Sequence, residues 1–238
     1  LSPHTLLGRG GLTLIGQLVL APKGRGTAAP GRLYGLPVLR GWADPGGFWG
    51  ERRLRRAGRE LRRACVLRVL TPRDFVWWPL LEQLGLRPVD QTPFLPAQSA
   101  PLALAALERQ GLAPDRAAVA LRGLRADRDM ARTAAQLCPR VRRLIIDAPR
   151  GGQELARWLR WEFGIPVLPP GEQGQAALAF QAGCAVEAGT LELWGPGPRL
   201  AGLTLAAPAL EAEDREDLSL LTALWEGGKL GPEDIKIT

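Results

Sequence analysis

Between Cys65 and Phe180, short apolar runs alternate with longer helical segments, and this alternation constrains the fold more than any other feature of the chain. Such runs, bounded by Gly, Pro and polar residues, are typical of buried parallel strands. The predicted strands are Val66–Leu70, Leu86–Asp90, Ala117–Leu121, Val141–Ile146, Ile165–Leu168 and Ala177–Phe180. The alternation predicts an α/β fold, with a mainly parallel sheet that holds these strands and helices on both of its faces.

Polar residues that follow the predicted strands mark the starts of the helices. Thr71 precedes a proline, Ser99 precedes an alanine-rich run, and Asp127 precedes a helix that runs to Leu137. Ser, Thr and Asp are common N-cap residues because their side chains accept backbone N–H groups of the first turn. A further helix is predicted over Gln153–Phe163, where two tryptophans three residues apart, at 158 and 161, are expected to pack on the sheet.

The flanks of this core differ in pattern from it, which suggests a division of the chain. Residues 1–63 are predicted to form a β-rich segment followed by an Arg-rich helix, and residues 64–185 the α/β core. Residues 186–238 are predicted to form a β-hairpin, an acidic linker and a short C-terminal helix. The hairpin strands are expected at Leu191–Trp194 and Leu200–Leu205, on either side of a Gly-Pro repeat.

The composition places the chain among globular proteins. It has 238 residues, of which 46% are hydrophobic and 23% charged. No stretch approaches the roughly 18 apolar residues of a membrane span, so no membrane association is expected. The first residue is Leu1 and not Met, so we expect further residues before it. Residues 1–238 show no leader peptide, and this expectation covers these residues alone.

The rare residues exclude several kinds of site. His4 is the one histidine, so a His-based catalytic triad or a His-rich metal centre would have to use it, and no metal is predicted. The three cysteines, Cys65, Cys138 and Cys184, form no CxxC pair and are expected to be buried thiols. Free cysteines without a pairing pattern favour a cytoplasmic location.

Charge is unevenly distributed along the chain. From Leu1 to Arg63 there are 12 basic and 3 acidic residues, whereas from Gly171 to Thr238 there are 4 and 11. The two ends therefore carry opposite net charges. We expect them to attract each other, either within one chain or between the subunits of a homo-oligomer.

The Arg-rich helix predicted over Glu51–Ala64 has two interpretations. Leu54 and Leu61 belong to a narrow apolar stripe, and arginines surround it. One interpretation is a surface for nucleic acid or another acidic partner. The other is a solvated helix that packs its leucines on the core. The second is favoured, and nucleic acid is the less expected partner, because no aromatic residues are interleaved with the arginines.

The best candidate site is the turn that follows the strand Ala117–Leu121. In open parallel sheets, ligands bind where strands end and helices begin, and free N–H groups at the helix start attract phosphate. Asp147, at the end of the next strand, stands where a dinucleotide-binding unit has the acid that holds a ribose hydroxyl. Arg150 follows it and could meet a 2′-phosphate. The candidate cofactor-binding residues are Gly123, Arg125, Asp127, Asp147 and Arg150.

Over Arg116–Phe180 the order and spacing of these features resemble the nicotinamide-binding domain of the shikimate dehydrogenase and glutamyl-tRNA reductase group. The resemblance implies a Rossmann-like core and carries Gly123 and Asp147 over as binding residues. The family's glycine-rich turn is GxGxxG/A, and this chain has Arg125 and Arg128 at the second and third glycine positions. The family's catalytic Lys/Asp pair has no counterpart here.

Three functions remain open on this basis. The first, which we favour, is a degenerate Rossmann-like protein with a structural or regulatory role, no cofactor and no tight dinucleotide binding. The second is an oxidoreductase or transferase that binds NAD(P) or another nucleotide at the carboxyl ends of the strands. The third is a protein that binds a polyanion or an acidic partner through its Arg-rich helix.

Overall fold

A computed structural model of the chain describes residues 14–184, 186–195 and 197–238. His4 lies outside the described residues. The chain divides into two units, each with its own sheet. Unit 1 comprises the described residues up to Asp90 together with Pro208–Asp234, and unit 2 comprises Gln91–Ala207 together with Ile235–Thr238.

Unit 1 is built on a five-stranded mixed sheet in the order β2-β3-β1-β4-β5. Its strands are β1 (Ile15–Leu20), β2 (Arg25–Leu33), β3 (Leu36–Ala43), β4 (Arg68–Leu70) and β5 (Arg87–Pro88). β1 pairs in parallel with β3 and β4, and β4 pairs in parallel with β5. β2 and β3 form an antiparallel hairpin. Both residues of its loop, Tyr34 and Gly35, have positive φ, which suits the right-handed twist of the two strands.

The helices of unit 1 are α1 (Gly50–Arg63), α2 (Trp78–Glu82) and α7 (Leu218–Glu226). The predicted stripe of α1 is confirmed: Leu54, Ala57 and Leu61 are fully buried and belong to a core cluster that also contains Leu18 of β1. α2 begins only at Trp78, so Thr71 caps no helix. Pro79 lies in its first turn, where the missing N–H of proline is tolerated, and does not kink the helix.

Unit 2 is built on a five-stranded, wholly parallel sheet in the order β10-β9-β6-β7-β8. Its strands are β6 (Ala118–Arg122), β7 (Arg143–Asp147), β8 (Val167–Leu168), β9 (Ala176–Ala179) and β10 (Leu191–Glu192). Its helices are α3 (Phe94–Ala97), α4 (Ser99–Arg109), α5 (Arg128–Leu137) and α6 (Gly152–Phe163). Counted from β6, the strands follow the order 3-2-1-4-5 of the Rossmann fold. The predicted α/β class with a parallel, helix-flanked sheet is confirmed.

Two predicted strands, Val66–Leu70 and Leu86–Asp90, lie in a different sheet from the others. Both were expected in one sheet with the strand at 117–121, but β4 pairs with β1, and β5 pairs with β4, in unit 1. β3 and β4 both run parallel to β1, so the chain must cross over between them. The helix α1 provides this crossover. The structural division after Asp90 also differs from the predicted boundaries after residues 63 and 185.

The predicted C-terminal hairpin is not formed as expected. Glu192 and Arg199 make one antiparallel bridge, but β11 (Leu205–Ala206) pairs with β12 (Lys236–Ile237) instead. β10 itself joins the edge of the parallel sheet of unit 2. β10 thereby binds backbone groups of β9 that would otherwise lie unpaired at the edge of the sheet.

Three expectations about side chains are also wrong. Ser99 does not cap α4, since its hydroxyl donates to the carbonyl oxygen of Pro96 at 2.7 Å. Trp161 does not pack on the sheet, because its side chain points away from it and is 89% exposed. The cysteines are not fully buried: Cys65 is exposed, at a positive φ just after α1, and the other two are half-buried.

Candidate functional site

The turn between β6 and α5 lies at the point where the strand order of unit 2 reverses. From β6 the chain moves to β7 and β8 on one side, and it then returns to β9 on the other side. The crevice between the carboxyl ends of β6 and β9 is where open α/β sheets bind their ligands. The turn begins with Gly123, which is buried. A Cβ there would lie 2.9 Å from the terminal carbon of the flexible Met130 side chain, which would have to shift.

A side chain of the protein accepts hydrogen bonds from the backbone N–H groups of this turn. Gln181 follows β9, and its Oε1 accepts from the backbone N–H of Leu124 at 3.0 Å and of Arg125 at 3.2 Å. Its Nε2 donates to Oδ2 of Asp127 at 2.7 Å and to the carbonyl oxygen of Arg125 at 3.4 Å. The amide of Gln181 therefore binds two donors and two acceptors of the turn.

Asp127 is the N-cap of α5, as the sequence predicts. Its Oδ1 accepts from the backbone N–H of Met130 at 3.0 Å, while its other oxygen accepts from Gln181. One carboxylate thus joins the first turn of the helix to the loop after β9. This use of both oxygens accounts for an aspartate at this position without a ligand.

The backbone holds the same turn from the side of β7. The N–H of Gly123 donates to the carbonyl oxygen of Asp147 at 3.0 Å, and the N–H of Ala126 donates to that of Arg150 at 2.8 Å. Arg125 and Arg150 form an isolated parallel bridge. The fold therefore brings the five candidate residues predicted from the sequence into neighbouring positions, with backbone contacts linking the two loops.

Asp147 also lines a cleft, which lies on the β7–β8 side of the sheet rather than between β6 and β9. This cleft has a volume of about 570 Å³ and runs along α6 to the prolines that follow β8. Arg157 and Arg160 line it as well. Arg160 donates to the carbonyl oxygen of Val167 at 3.2 Å, and Arg157 lies 3.7 Å from a carboxylate oxygen of Glu154.

A buried arginine at the end of β6 pairs with an exposed glutamate. The side chain of Arg122 is 3% exposed, and its Nη2 lies 2.9 Å from Oε1 of Glu187. Two features of the crevice attract anions: the guanidinium of Arg122 and the N–H groups before α5. Glu187 binds the first and Gln181 binds the second, and both residues belong to the segment after β9. Burial raises the pKa of the nearby Cys184 thiol.

Sequence reasoning missed Gln181 and Glu187. The available signal was their place after the predicted strand Ala177–Phe180, since polar residues at the carboxyl end of a strand face the ligand crevice in this fold. Their partners lie 56 and 65 residues earlier in the chain, so spacing does not reveal the contacts.

A second cleft, of about 370 Å³, lies in unit 1 at the carboxyl ends of β1 and β4. It is lined by Thr71 and Arg73 and by acidic residues of the segment before α7. Two of its carboxylates already serve the fold. Asp214 accepts from the hydroxyl of Tyr34 at 2.7 Å, and Asp217 accepts from backbone N–H groups of α7.

The described ranges hold neither a cluster of metal ligands nor a membrane-spanning helix. No three His, Cys, Asp or Glu side chains of these residues group as metal ligands. Among these same residues, no helix is both long enough and apolar enough to cross a bilayer.

Neither a protein-family model nor a curated protein sequence matches the chain. Among solved structures, the L-tryptophan dehydrogenase from Nostoc punctiforme is similar over 70% of this chain, with 13% identical residues and a TM-score of 0.30. The match covers 54% of that protein, so this chain spans about half of its length. The Rossmann-like description of unit 2 rests on its own strand order and parallel pairing.

Proposed function

We propose that unit 2 is a degenerate Rossmann-like domain that has a structural or regulatory role and binds no dinucleotide tightly. The observation that carries this proposal is the amide of Gln181, which accepts the N–H groups of Leu124 and Arg125. In a dinucleotide-binding turn, N–H groups at this position face the pyrophosphate. A cofactor would have to displace Gln181 and break its hydrogen bond to Asp127 as well.

The side chains of the turn support the same conclusion. Arg125 stands at the second glycine position of the family's turn, where the backbone must approach the pyrophosphate closely. It and Arg128, at the third position, are both exposed. The strand order of unit 2 is Rossmann-like, but the side chains of this turn differ from the glycine-rich pattern that binds a pyrophosphate.

A second candidate is an oxidoreductase or transferase that uses NAD(P) or another nucleotide. The position of Asp147 favours it, because this residue pairs in register with Arg122 at the carboxyl end of the sheet and lines the cleft of about 570 Å³. A ribose bound by Asp147 would place its phosphates toward the arginines of the cleft or of the turn, and guanidinium groups bind phosphate strongly.

Titration calorimetry with NADH and NADPH at about 0.1 M salt separates the two candidates. The proposal expects no dissociation constant below about 10 μM, which corresponds to a binding free energy of roughly −7 kcal/mol. Tighter binding that is lost in Asp147→Ala or Arg125→Glu, but kept in the control Arg140→Glu, would contradict the proposal and establish the nucleotide-dependent candidate.

A further inference from the structure

The solvent face of α1 carries a continuous stripe of arginines. Arg52, Arg56, Arg59 and Arg63 follow one another at spacings of four, three and four residues, which places them on one side of the helix. At the rise of an α-helix the stripe is about 16 Å long. All four residues are exposed. The stripe thus presents a row of guanidinium groups at near-regular intervals.

Much of this charge is not neutralised by the protein. Arg63 pairs with Glu60 at 2.7 Å, and Arg55, beside the stripe, pairs with Glu51 at 2.7 Å. Within the described part of the chain, neither Arg56 nor Arg59 lies in an ion pair with a carboxylate. The central part of the stripe is therefore the part most available to an anionic partner.

Two exposed aromatic side chains stand at the start of the same helix. Phe48 is 91% exposed and Trp49 is 52% exposed. Their rings contact edge to face at 5.1 Å, and the guanidinium carbon of Arg52 lies 5.2 Å from the centre of the Trp49 ring. The aromatic residues that the sequence pattern lacked within the helix are thus supplied by the residues just before it.

The side of α1 opposite the stripe is packed against the rest of unit 1. The opposite side of α1 is buried through Leu54, Ala57 and Leu61, and the helix packs on the β2–β3 hairpin. A Cβ on Gly26 of β2 would lie 2.7 Å from the carbonyl oxygen of Arg53, which shows how closely the two elements approach. Because the apolar side faces the core, the helix has no apolar face with which to enter a lipid bilayer.

We propose that this surface, made of Phe48, Trp49 and the arginine stripe, binds single-stranded nucleic acid. Guanidinium groups bind phosphates, and exposed aromatic rings stack on unpaired bases, a combination that typifies single-strand binding. A duplex offers no unpaired base to Phe48 and Trp49, and a membrane needs an apolar face that α1 does not present. This proposal concerns unit 1 and is independent of the function proposed for unit 2.

Fluorescence anisotropy of a labelled oligo(dT) of about 20 nucleotides, titrated with the full chain, tests the proposal. We expect a dissociation constant of roughly 1–100 μM at about 0.1 M salt. If about four phosphates are contacted, binding weakens on the order of 50-fold between about 50 and 200 mM salt. Absence of binding at about 100 μM protein would overturn the proposal.

Paired variants locate the site. Arg56→Glu with Arg59→Glu should weaken binding at least about tenfold, whereas the exposed pair Arg140→Glu with Arg142→Glu, which changes the net charge equally, should leave it within about twofold. Equal loss in both would show general electrostatic attraction and overturn the assignment. Arg56→Gln with Arg59→Gln, checked by circular dichroism, replaces the first pair if that variant is unfolded.

A last comparison separates the kinds of partner. Phe48→Ala with Trp49→Ala should weaken binding of oligo(dT) by about fivefold or more and leave binding of a duplex of equal length unchanged. Equal affinity for duplex and single strand, with no effect of the aromatic variant, would overturn the single-strand assignment. So would tighter binding to phosphatidylserine vesicles than to oligo(dT).

Discussion

The neutral amide of Gln181 accepts backbone N–H groups at the position where a dinucleotide-binding turn binds a phosphate. Its oxygen accepts two backbone N–H groups, and its nitrogen donates to the N-cap carboxylate of α5. An amide can do both because it carries a donor and an acceptor, whereas a phosphate next to Asp127 would meet a like charge. One residue after β9 thus binds a turn that lies more than 50 residues earlier in the chain.

We predict that Gln181→Ala lowers the free energy of unfolding by about 1 kcal/mol, because it removes the hydrogen bonds to the exposed N–H groups of Leu124 and Arg125 and to the Asp127 carboxylate. Urea denaturation measures this change. The matched control is Gln136→Ala, at an exposed position of α5, and it should change stability by less than about 0.5 kcal/mol. Equal effects of the two substitutions would show that the contacts of Gln181 contribute nothing.

The three thiols should differ in reactivity. Burial raises the pKa of Cys138 from 9.0 to about 11, and burial also raises the pKa of Cys184, while Cys65 is exposed. Because the thiolate is the reactive form, a raised pKa slows alkylation at neutral pH. We expect iodoacetamide to label Cys65 first and Cys138 last, as read by peptide mass spectrometry. Labelling of Cys138 in the folded protein should accelerate only as the pH approaches 11, and early labelling near pH 8 would contradict this.

The same pKa shift sets a direction for stability. Since the folded pKa of Cys138 lies above the unfolded one, the protonated thiol favours the folded state, and this contribution is lost as the pH rises from about 9 toward 11. Cys138→Ala should therefore flatten the decline of the melting temperature over this range. An unchanged decline in the variant would assign it to other groups.

At the scale of elements, the helix α1 has one buried side and one exposed side. Its leucine side is fixed in the core of unit 1, while its arginine side is free to meet solvent or a partner. We predict that Leu61→Asp destabilises the protein by more than about 2 kcal/mol, because it buries a charge without a partner. Thermal and urea unfolding measure the loss. Arg59→Asp, two residues earlier on the exposed side, is the control and should cost far less; a similar cost would contradict the assigned orientation.

The helix α6 shows the opposite case, in which spacing misled the prediction. Trp158 and Trp161 lie three residues apart, and such pairs share a side of a helix, but the spacing does not say which side. Leu155 and Leu159 fill the sheet side of α6, so the tryptophans project outward, Trp161 being almost fully exposed. Aliphatic residues at a spacing of four were the better signal for the buried side.

At the scale of the whole molecule, the two ends of unit 1 come from distant parts of the chain. Arg68 of β4 and Glu226 of α7 are 158 residues apart in sequence, and their side chains approach to 2.6 Å. Together with the bond from Tyr34 to Asp214, this contact places acidic C-terminal residues on the N-terminal sheet. Arg68 lies outside the basic range 1–63 and Tyr34 is uncharged, so the expected attraction between the oppositely charged ends, within one chain or in a homo-oligomer, remains a prediction.

A double-mutant cycle of Arg68→Met and Glu226→Gln should give a coupling free energy of about 1–2 kcal/mol, since both side chains are mostly buried. The value should fall with added salt. The exposed pair Arg157 and Glu154 is the control, with an expected coupling near zero. A coupling near zero for both pairs, measured by urea unfolding, would show that the ion pair does not hold the segment in place.

The sequence alone determined the strands β6 to β9, the helices α5 and α6, the α/β class, the cap at Asp127 and the buried side of α1. These features depend on periodicity and capping within a few residues, which a linear pattern contains. The five candidate residues were also named from the sequence, because strand ends and helix starts can be located locally.

Only the tertiary structure decided which strands share a sheet and what occupies the candidate turn. The pairing of β4 with β1 and the contact of Gln181 with Leu124 join residues that are far apart in the chain. Such choices depend on the packing of whole layers and on which buried N–H groups still need an acceptor, and neither leaves a local pattern. The exposure of Phe48 and Trp49 beside the arginines of α1 is of the same kind, since burial is a property of the folded surface.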